Sequence, residues 1–260
     1  KPSYPMKTAL IADSLMTAFR AGDKLKMNKY LAMLCETRPI NEAQNRNTAK
    51  SLASRGAFQE AKALILVNVE HGSPNVEDDL ILALTLYRGQ NPWEAIEPLK
   101  RADARKPDQP EVLNGFAHAY FQMWTADVAD EATRDKAIFY LTTLRRLKLV
   151  DAEHLWMLHS IYLTTEDSVE RKSVLDELLL QNPKDPLADH LSEALRPQSE
   201  RQRCSPEYVR TLFDQASDTF DRELLDKLDY RVPRRIAECL EQTQPRGKCF
   251  KRALDLGCGT

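Results

Sequence analysis

The sequence predicts an all-α chain built from repeated pairs of helices. Only 8 of its 260 residues are glycine, a residue that weakens helix interiors, and three of those fall in the last 14 positions. Residues of one type recur at a fixed spacing: Gly22 and Gly56 are 34 residues apart, and so are Ala61 and Ala95. Prolines close successive apolar stretches at Pro39, Pro74, Pro107 and Pro183. A period of this length is typical of stacked helical repeats.

Five repeat units can be aligned along the first three quarters of the chain. They begin at Thr8, Glu42, Val76, Pro110 and Ala152. The third unit is the clearest, with small, large and terminating residues at Ala83, Leu86, Ala95, Leu99, Ala102 and Pro107. This pattern resembles the tetratricopeptide repeat (TPR), a 34-residue helix-turn-helix unit in which small residues let paired helices approach closely. The resemblance implies a TPR-type α-solenoid over residues 8–196.

The remaining units follow the pattern less strictly. The fourth requires about eight extra residues, which we place near residues 124–134, and in the fifth His159 and Arg171 replace two small residues. A further helix over residues 187–195 is expected to cap the open end of the stack, as solenoids require. The alternative is an unrelated all-helical bundle in which the spacing arises by chance.

Composition and charge exclude several classes of function. The net charge of −2 provides no basic field for nucleic acid, so a nucleic-acid partner is not expected. No stretch approaches the roughly 18 apolar residues of a membrane-spanning helix. The five cysteines and five histidines are scattered without metal-ligand spacing, so we predict no metal site, reduced thiols and a cytoplasmic location.

The TPR resemblance also implies where a partner would bind. In such stacks the first helix of each unit lines a concave groove, and its exposed side chains meet a protein or peptide. The groove residues expected from the repeat positions are Arg46, Lys50, Tyr87, Arg88, Asn114, His118, Gln122 and Trp156. These groups suit an acidic or carboxylate-ended segment, held by charge-assisted hydrogen bonds. Alternatively, the cationic residues form an ordinary solvated face and Trp156 belongs to the core.

The last sixty residues have a different character. Residues 197–204 are polar and are interpreted as a linker, after which Ser205 is a candidate N-cap before a first helix, and a second helix opens at Pro233. An apolar segment at residues 253–256 is then predicted as a β-strand that carries Asp255 near its end. Gly257, Cys258 and Gly259 follow it. In an α/β sheet such a glycine loop lies at the carboxyl edge of the strand, where nucleotide-like ligands approach backbone amides.

The closing sequence Leu-Asp-Leu-Gly-Cys-Gly-Thr resembles the first motif of class I methyltransferases that use S-adenosylmethionine. The segment from Ser205 to Pro233 is similar to the lead-in of bacterial methyltransferases that carry TPR units before the catalytic domain. The resemblance implies that residues 205–260 are the first helices and first strand of a Rossmann-like domain. Asp255, Gly257, Cys258 and Gly259 would then bind S-adenosylmethionine. Phe213 and Tyr230 would lie on the cofactor side, unless they serve only helix packing.

The resemblance implies a methyltransferase whose TPR region recruits a protein partner or substrate. Only the first of about seven strands is supplied, so we expect the chain to be the N-terminal part of a longer protein, inactive by itself. Its catalytic residues are not identified, and its C-terminal segment is expected to pair with another molecule, which would make a dimer. The competing hypothesis is a non-enzymatic adaptor in which the groove is the whole function.

Overall fold

The computed structural model describes residues 4–89, 91–128, 130–196, 204–216, 230–243 and 252. Over these ranges the chain is helical and has no β-strand. The α-helices in chain order are α1 Tyr4–Arg20, α2 Lys24–Glu36, α3 Glu42–Ala53, α4 Phe58–His71, α5 Val76–Arg88, α6 Ile96–Arg105, α7 Pro110–Ala126, α8 Glu131–Arg146, α9 Ala152–Thr164, α10 Ser168–Gln181, α11 Pro186–Ala194, α12 Pro206–Ala216 and α13 Val232–Thr243. The all-α prediction is confirmed for the described residues, and the strand predicted at 253–256 lies outside them.

The repeat units begin where the sequence places them. Helices α3, α5, α7 and α9 start at the predicted first residues of units two to five. Asn41, Asn75 and Asp151 precede three of these helices, and each side chain accepts a hydrogen bond from a backbone N–H of the first turn. Such N-caps satisfy donors that have no partner inside the helix, so they define its start. Helix α1 differs, because it begins at Tyr4 rather than Thr8.

The chain divides into two compact units, residues 1–171 and 172–260, and the division falls inside α10. In the first unit consecutive helices pack in pairs: α1 with α2, α3 with α4, α5 with α6 and α7 with α8. The first helices of successive pairs also contact one another: α1 packs on α3, α3 on α5, and α5 on α7. Helix packing mainly between neighbouring repeats is typical of a stack of helical hairpins. The predicted domain boundary at residue 196 stays a prediction.

The core of the first unit uses the residues that define the repeat. Ala83, Ala95, Leu99 and Ala102 are fully buried, and Leu86 is nearly so. Gly115 of α7 lies against Leu99 of α6, and a Cβ atom at position 115 would stand 2.4 Å from Leu99 Cδ2. Helices α6 and α7 can therefore approach closely only because residue 115 has no side chain.

The extra residues of the fourth unit lengthen its helices instead of forming a long loop. Helices α7 and α8 have 17 and 16 residues, whereas α5 and α9 each have 13. Phe116 of α7 stacks on Tyr140 of α8 with ring centroids 4.8 Å apart, a contact that stabilises the packing of the two long helices. The indole of buried Trp124 donates to the carbonyl of Val128, which holds the end of α7 against the turn that follows.

The second unit contains the rest of α10 with α11, α12 and α13. Ser192 of α11 contacts Asp176 of α10, with 3.4 Å between their side-chain oxygens. Helix α11 corresponds to the predicted capping helix and is N-capped by Asp185. Ser205 accepts a hydrogen bond from the N–H of Tyr208 at the start of α12, which is the predicted cap. Helix α13 begins one residue before Pro233.

One turn position recurs in three units with a left-handed backbone. Gly22 and Gly56 have φ values of 68° and 81°, and Glu166 occupies the same repeat position with φ 57°. The left-handed region costs a residue with a Cβ roughly 1–2 kcal/mol, and glycine avoids that cost. A Cβ at Gly56 would meet no atom within 4 Å. The cost of a side chain at this position therefore comes from the backbone conformation alone.

We therefore predict opposite effects for a reciprocal pair of substitutions. Glu166→Gly should leave the free energy of unfolding unchanged or raise it by up to about 1 kcal/mol, since relief of the strained backbone offsets the greater entropy of the unfolded chain. Gly56→Glu should lower it by about 1 kcal/mol. Urea unfolding monitored by circular dichroism measures both. A loss of about 1 kcal/mol in Glu166→Gly would contradict the assignment.

Candidate functional site

The eight predicted groove residues all lie on the first helices of the repeats, α3, α5, α7 and α9, and all belong to the first unit. The structure brings them together in two groups. Arg46 and Lys50 contact the acidic turn, defined as Glu77, Asp78 and Asp79 at the start of α5. The second group is the histidine cluster, which consists of Tyr87, Arg88, Asn114, His118, Glu153 and His154. Trp156 is half-buried with its ring against the edge of His159, and Gln122 is half-buried on α7.

Arg46 makes a two-point ion pair with Asp78 that joins α3 to α5. Its Nε and Nη2 donate to the two carboxylate oxygens at 3.1 and 2.7 Å, and the carboxylate is fully buried. Asn68 of α4 donates to the same carboxylate at 2.9 Å and accepts a hydrogen bond from Asn45. Burial opposes ionisation of Asp78, but the hydrogen bonds from Arg46 and Asn68 outweigh it and hold the pKa of that carboxyl below its usual value.

The adjacent carboxylate of Asp79 points to the other side of α5. It is also fully buried, and Arg101 of α6 donates to it at 2.9 Å, while Arg105 forms a second ion pair. Consecutive residues of a helix are about 100° apart around its axis, so Asp78 reaches the preceding repeat and Asp79 the second helix of its own repeat. The acidic turn thus ties α5 to α3, α4 and α6.

Lys50 pairs with Glu77, the exposed member of the acidic turn. Both side chains are about half exposed, so this contact is an ordinary surface ion pair of small free energy. Together with the Arg46–Asp78 pair it means that both predicted cationic groups of α3 already have carboxylate partners. An acidic peptide could reach Arg46 only by displacing a buried carboxylate, so that side chain is committed to the fold.

Aromatic rings stack through the histidine cluster from α5 to α9. The rings of Tyr87 and His118 are parallel within 4° with centroids 5.4 Å apart. His118 in turn meets the edge of the His154 ring, with 5.2 Å between centroids. All three side chains are buried, so they form the packed floor of the face across three successive first helices.

His154 connects the start of α9 to α7. Its Nδ1 lies 2.7 Å from the Asp151 carboxylate, and its Nε2 lies 2.6 Å from Asn114 Oδ1. Asp151 in turn caps α9 by accepting from the backbone N–H of His154. Burial disfavours the Asp151 carboxylate, but the hydrogen bond from that N–H and the nearby His154 lower its pKa on balance. Asn114 is therefore a positioning group, oriented by His154.

Arg88 and Glu153 meet above this floor. The Arg88 Nη2 donates to both oxygens of Glu153 at 2.9 and 3.1 Å, which joins the last residue of α5 to the first turn of α9. Both side chains keep solvent contact, at 38% and 47% exposure. Both hydrogen bonds come from one nitrogen, so the pair lacks the two-nitrogen geometry that Arg46 makes with Asp78.

His118 lies beneath the ion pair with an unpaired buried nitrogen. The residue is 3% exposed, and within the described part of the chain its Nδ1 has no hydrogen-bond partner, with the nearest Glu153 oxygen 3.9 Å away. Burial lowers the pKa of His118 to about 4, and the neighbouring Arg88 adds to the effect against the opposing influence of Glu153. The imidazole is therefore neutral at physiological pH.

The groove prediction omitted the partner side chains that complete both groups. Asp78, Glu153 and His154 belong to first turns, where the repeat pattern assigns no groove position. One local signal is present: Asn75 with Asp78, and Asp151 with His154, have the three-residue spacing of capping boxes. That spacing indicates side chains held at a helix start, but not which neighbouring helix they face.

The predicted cofactor residues are placed only in part. Asp255, Gly257, Cys258 and Gly259 lie outside the described residues. Phe213 on α12 and Tyr230, just before α13, are both substantially exposed. Within the described ranges no three His, Cys, Asp or Glu side chains converge as metal ligands. In the same part of the chain, each helix falls short of the length and apolar character needed to cross a membrane.

A separate pocket of about 310 Å³ opens on the first hairpin, between α1 and α2. Its walls include Leu10, Asp13, Thr17 and Tyr30. The hydroxyl of Thr17 donates to a backbone carbonyl of its own helix, and Lys26 on the rim pairs with Asp23. None of the predicted groove residues lines this pocket.

Comparison with known proteins adds no relative to this picture. A scan of the sequence against protein-family models gives no match. A search of curated proteins gives no significant match either. The described residues define a helical protein with a unit of repeated helical hairpins. The two groups of side chains on the first helices of these hairpins are the candidate site.

The first prediction from this site concerns Asp78. Asp78→Asn should lower the free energy of unfolding by about 3 kcal/mol, because it removes the buried counter-charge of the largely buried Arg46 guanidinium and leaves only the half-exposed Glu77 carboxylate, at 3.4 Å. Glu77→Gln, which removes the exposed neighbour, is the matched control and should cost less than about 1 kcal/mol. Urea unfolding measures both. Equal losses in the two variants would show that the buried pair has no special importance.

The second prediction concerns His118 and pH. Because its pKa is lowered to about 4 in the folded protein, the unfolded chain binds a proton first as the pH falls below the ordinary value of 6.5. The free energy of unfolding should therefore decrease between pH 6.5 and pH 4, by up to about 3 kcal/mol from this group. His118→Phe keeps the ring against Tyr87 and should flatten that part of the profile. Substitution of the exposed His71 by Asn is the control for the loss of a histidine outside the cluster.

Proposed function

We propose that the first unit is a TPR-like protein-interaction region whose partner binds on the face of α3, α5, α7 and α9. The observation that supports this most directly is the histidine cluster, where polar side chains from three first helices converge and one buried nitrogen, His118 Nδ1, has no hydrogen-bond partner among the residues that the structure describes. A face that only packed the repeats together would need no such arrangement of half-exposed ions over an unpaired buried nitrogen.

We further propose that this region serves an S-adenosylmethionine-dependent methyltransferase. The support is the sequence from Asp255 to Gly259, which follows an apolar segment and resembles the cofactor motif of that class. The cofactor would be S-adenosylmethionine, and the reaction would be in-line transfer of its methyl group to a nucleophile. The interaction region would contribute by holding the acceptor near the cofactor, since positioning supplies much of the catalysis in such reactions.

The second candidate function is a non-enzymatic adaptor. It is favoured by the same geometry, because every side chain of the histidine cluster belongs to the first unit. Both candidates share a protein or peptide partner, and both are proposed for a cytoplasmic protein without a membrane or nucleic-acid partner. They differ in whether the C-terminal motif binds a cofactor.

One experiment on the protein expressed from its complete gene separates these proposals. Calorimetric titration with S-adenosylmethionine should show binding that Asp255→Ala removes and Arg88→Ala leaves intact. Capture of crosslinked partners should be lost in Arg88→Ala and unchanged in Asp255→Ala. Lys62→Ala on α4 is a control away from the face. Partner capture without cofactor binding would support the adaptor, and partner capture unaffected by Arg88→Ala would contradict the proposed face.

A further inference from the structure

We propose that Glu153 is an internal competitor that occupies a carboxylate-binding site formed by Arg88 and His118, and that a peptide carboxylate displaces it. This inference rests on the proposed partner-binding function and specifies the chemistry of its ligand.

Of the two arginines on the face, only Arg88 can be released at low cost. The Arg46 side chain is 13% exposed and faces a fully buried carboxylate through two nitrogens, so its separation would leave charges unpaired inside the protein. Arg88 and Glu153 are both well exposed, and exposed pairs contribute only about 0–1 kcal/mol. The Arg88–Glu153 pair is therefore the part of the face that can exchange partners.

The positions of Arg88 and Glu153 at helix ends further lower the free-energy cost of separating the pair. Glu153 lies in the first turn of α9, where the helix dipole favours an anion, and Arg88 is the last residue of α5, where the dipole favours a cation. Each side chain remains favourably placed when the pair separates. Glu153 can then move into solvent without leaving a buried charge behind.

Opening the pair exposes a set of hydrogen-bond donors. The Arg88 guanidinium gains room for a contact through two nitrogens, which Glu153 does not make. The neutral His118 can carry its proton on Nδ1, the buried nitrogen that none of the described residues hydrogen-bonds and that lies 3.9 Å from the Glu153 carboxylate. The start of α9 adds a positive dipole end beside them.

A carboxylate is the ligand that fits these donors. It is planar, it carries the charge that Arg88 needs once Glu153 leaves, and one of its oxygens can accept from His118 Nδ1. The Tyr87 ring, stacked on His118, forms the adjacent wall. In a peptide this group is either the side chain of Asp or Glu or the C-terminal carboxylate, so the test distinguishes these two sources.

The test uses the full 260-residue chain and two random heptapeptide libraries, one with free C-terminal carboxylates and one with C-terminal amides. We expect the enriched peptides to carry a carboxylate, and replacement of that group by an amide should weaken binding at least tenfold in fluorescence anisotropy. Enrichment in both libraries would identify an acidic side chain, and enrichment in the free-acid library alone the C-terminus.

Three variants test the site itself. Glu153→Gln should tighten binding of the enriched peptide about threefold to fivefold, because the internal competitor is removed. Arg88→Gln should abolish the preference for the acid over its amide, and His118→Phe should reduce that preference without loss of fold. Glu94→Gln, which breaks the exposed Lys62–Glu94 pair elsewhere in the unit, is the matched control and should have no effect.

The outcomes separate this inference from the broader proposal. Peptides that bind the face without a carboxylate, or a Glu153→Gln variant that binds no more tightly than the wild type, would overturn the competitor role while leaving partner binding in place. Enriched peptides insensitive to all three variants would overturn both, as would the absence of any enriched peptide. Thermal unfolding of each variant confirms that the comparison is made between folded proteins.

Discussion

Two consecutive buried carboxylates at the start of α5 are the constraint on which the first unit depends. Asp78 binds Arg46 and Asn68 of the preceding repeat, and Asp79 binds Arg101 and Arg105 of α6. A buried charge without its partner costs several kcal/mol, so α5 can take only the register that satisfies both. This requirement orients the C-terminal end of the same helix, where Tyr87 and Arg88 belong to the histidine cluster.

The two arginines of the face illustrate how burial decides the role of a residue. Arg46 and Arg88 have the same chemistry, and the sequence places both in the groove. Arg46 is inside the protein and holds two repeats together, whereas Arg88 is at the surface and holds a carboxylate that solvent can reach. Exchange of a partner requires the second situation, since the first carries the full cost of separating buried charges.

The histidine cluster combines buried, packed rings with an exposed ion pair between Arg88 and Glu153, in which another carboxylate can replace Glu153 under the proposed function. Packed rings from α5, α7 and α9 form the floor, where the two ring nitrogens of His154 contact Asp151 and Asn114. Preorganised donors of this kind bind an incoming group without the entropy cost of ordering themselves. Under the proposed function, the specificity of the face would therefore come from Arg88 and His118 and its shape from the packed rings.

The sequence by itself determined the repeat period, the first residues of α3, α5, α7 and α9, and the small and large core positions, because these depend on local capping and on the 3.6-residue period of the helix. It also named four residues, Tyr87, Arg88, Asn114 and His118, that the structure brings together in the histidine cluster. Only the tertiary structure decided that Arg46 is committed to Asp78 and that Arg88 reaches Glu153, 65 residues away in sequence. Such pairings depend on how neighbouring repeats are rotated against each other, and no local pattern of residues encodes that rotation.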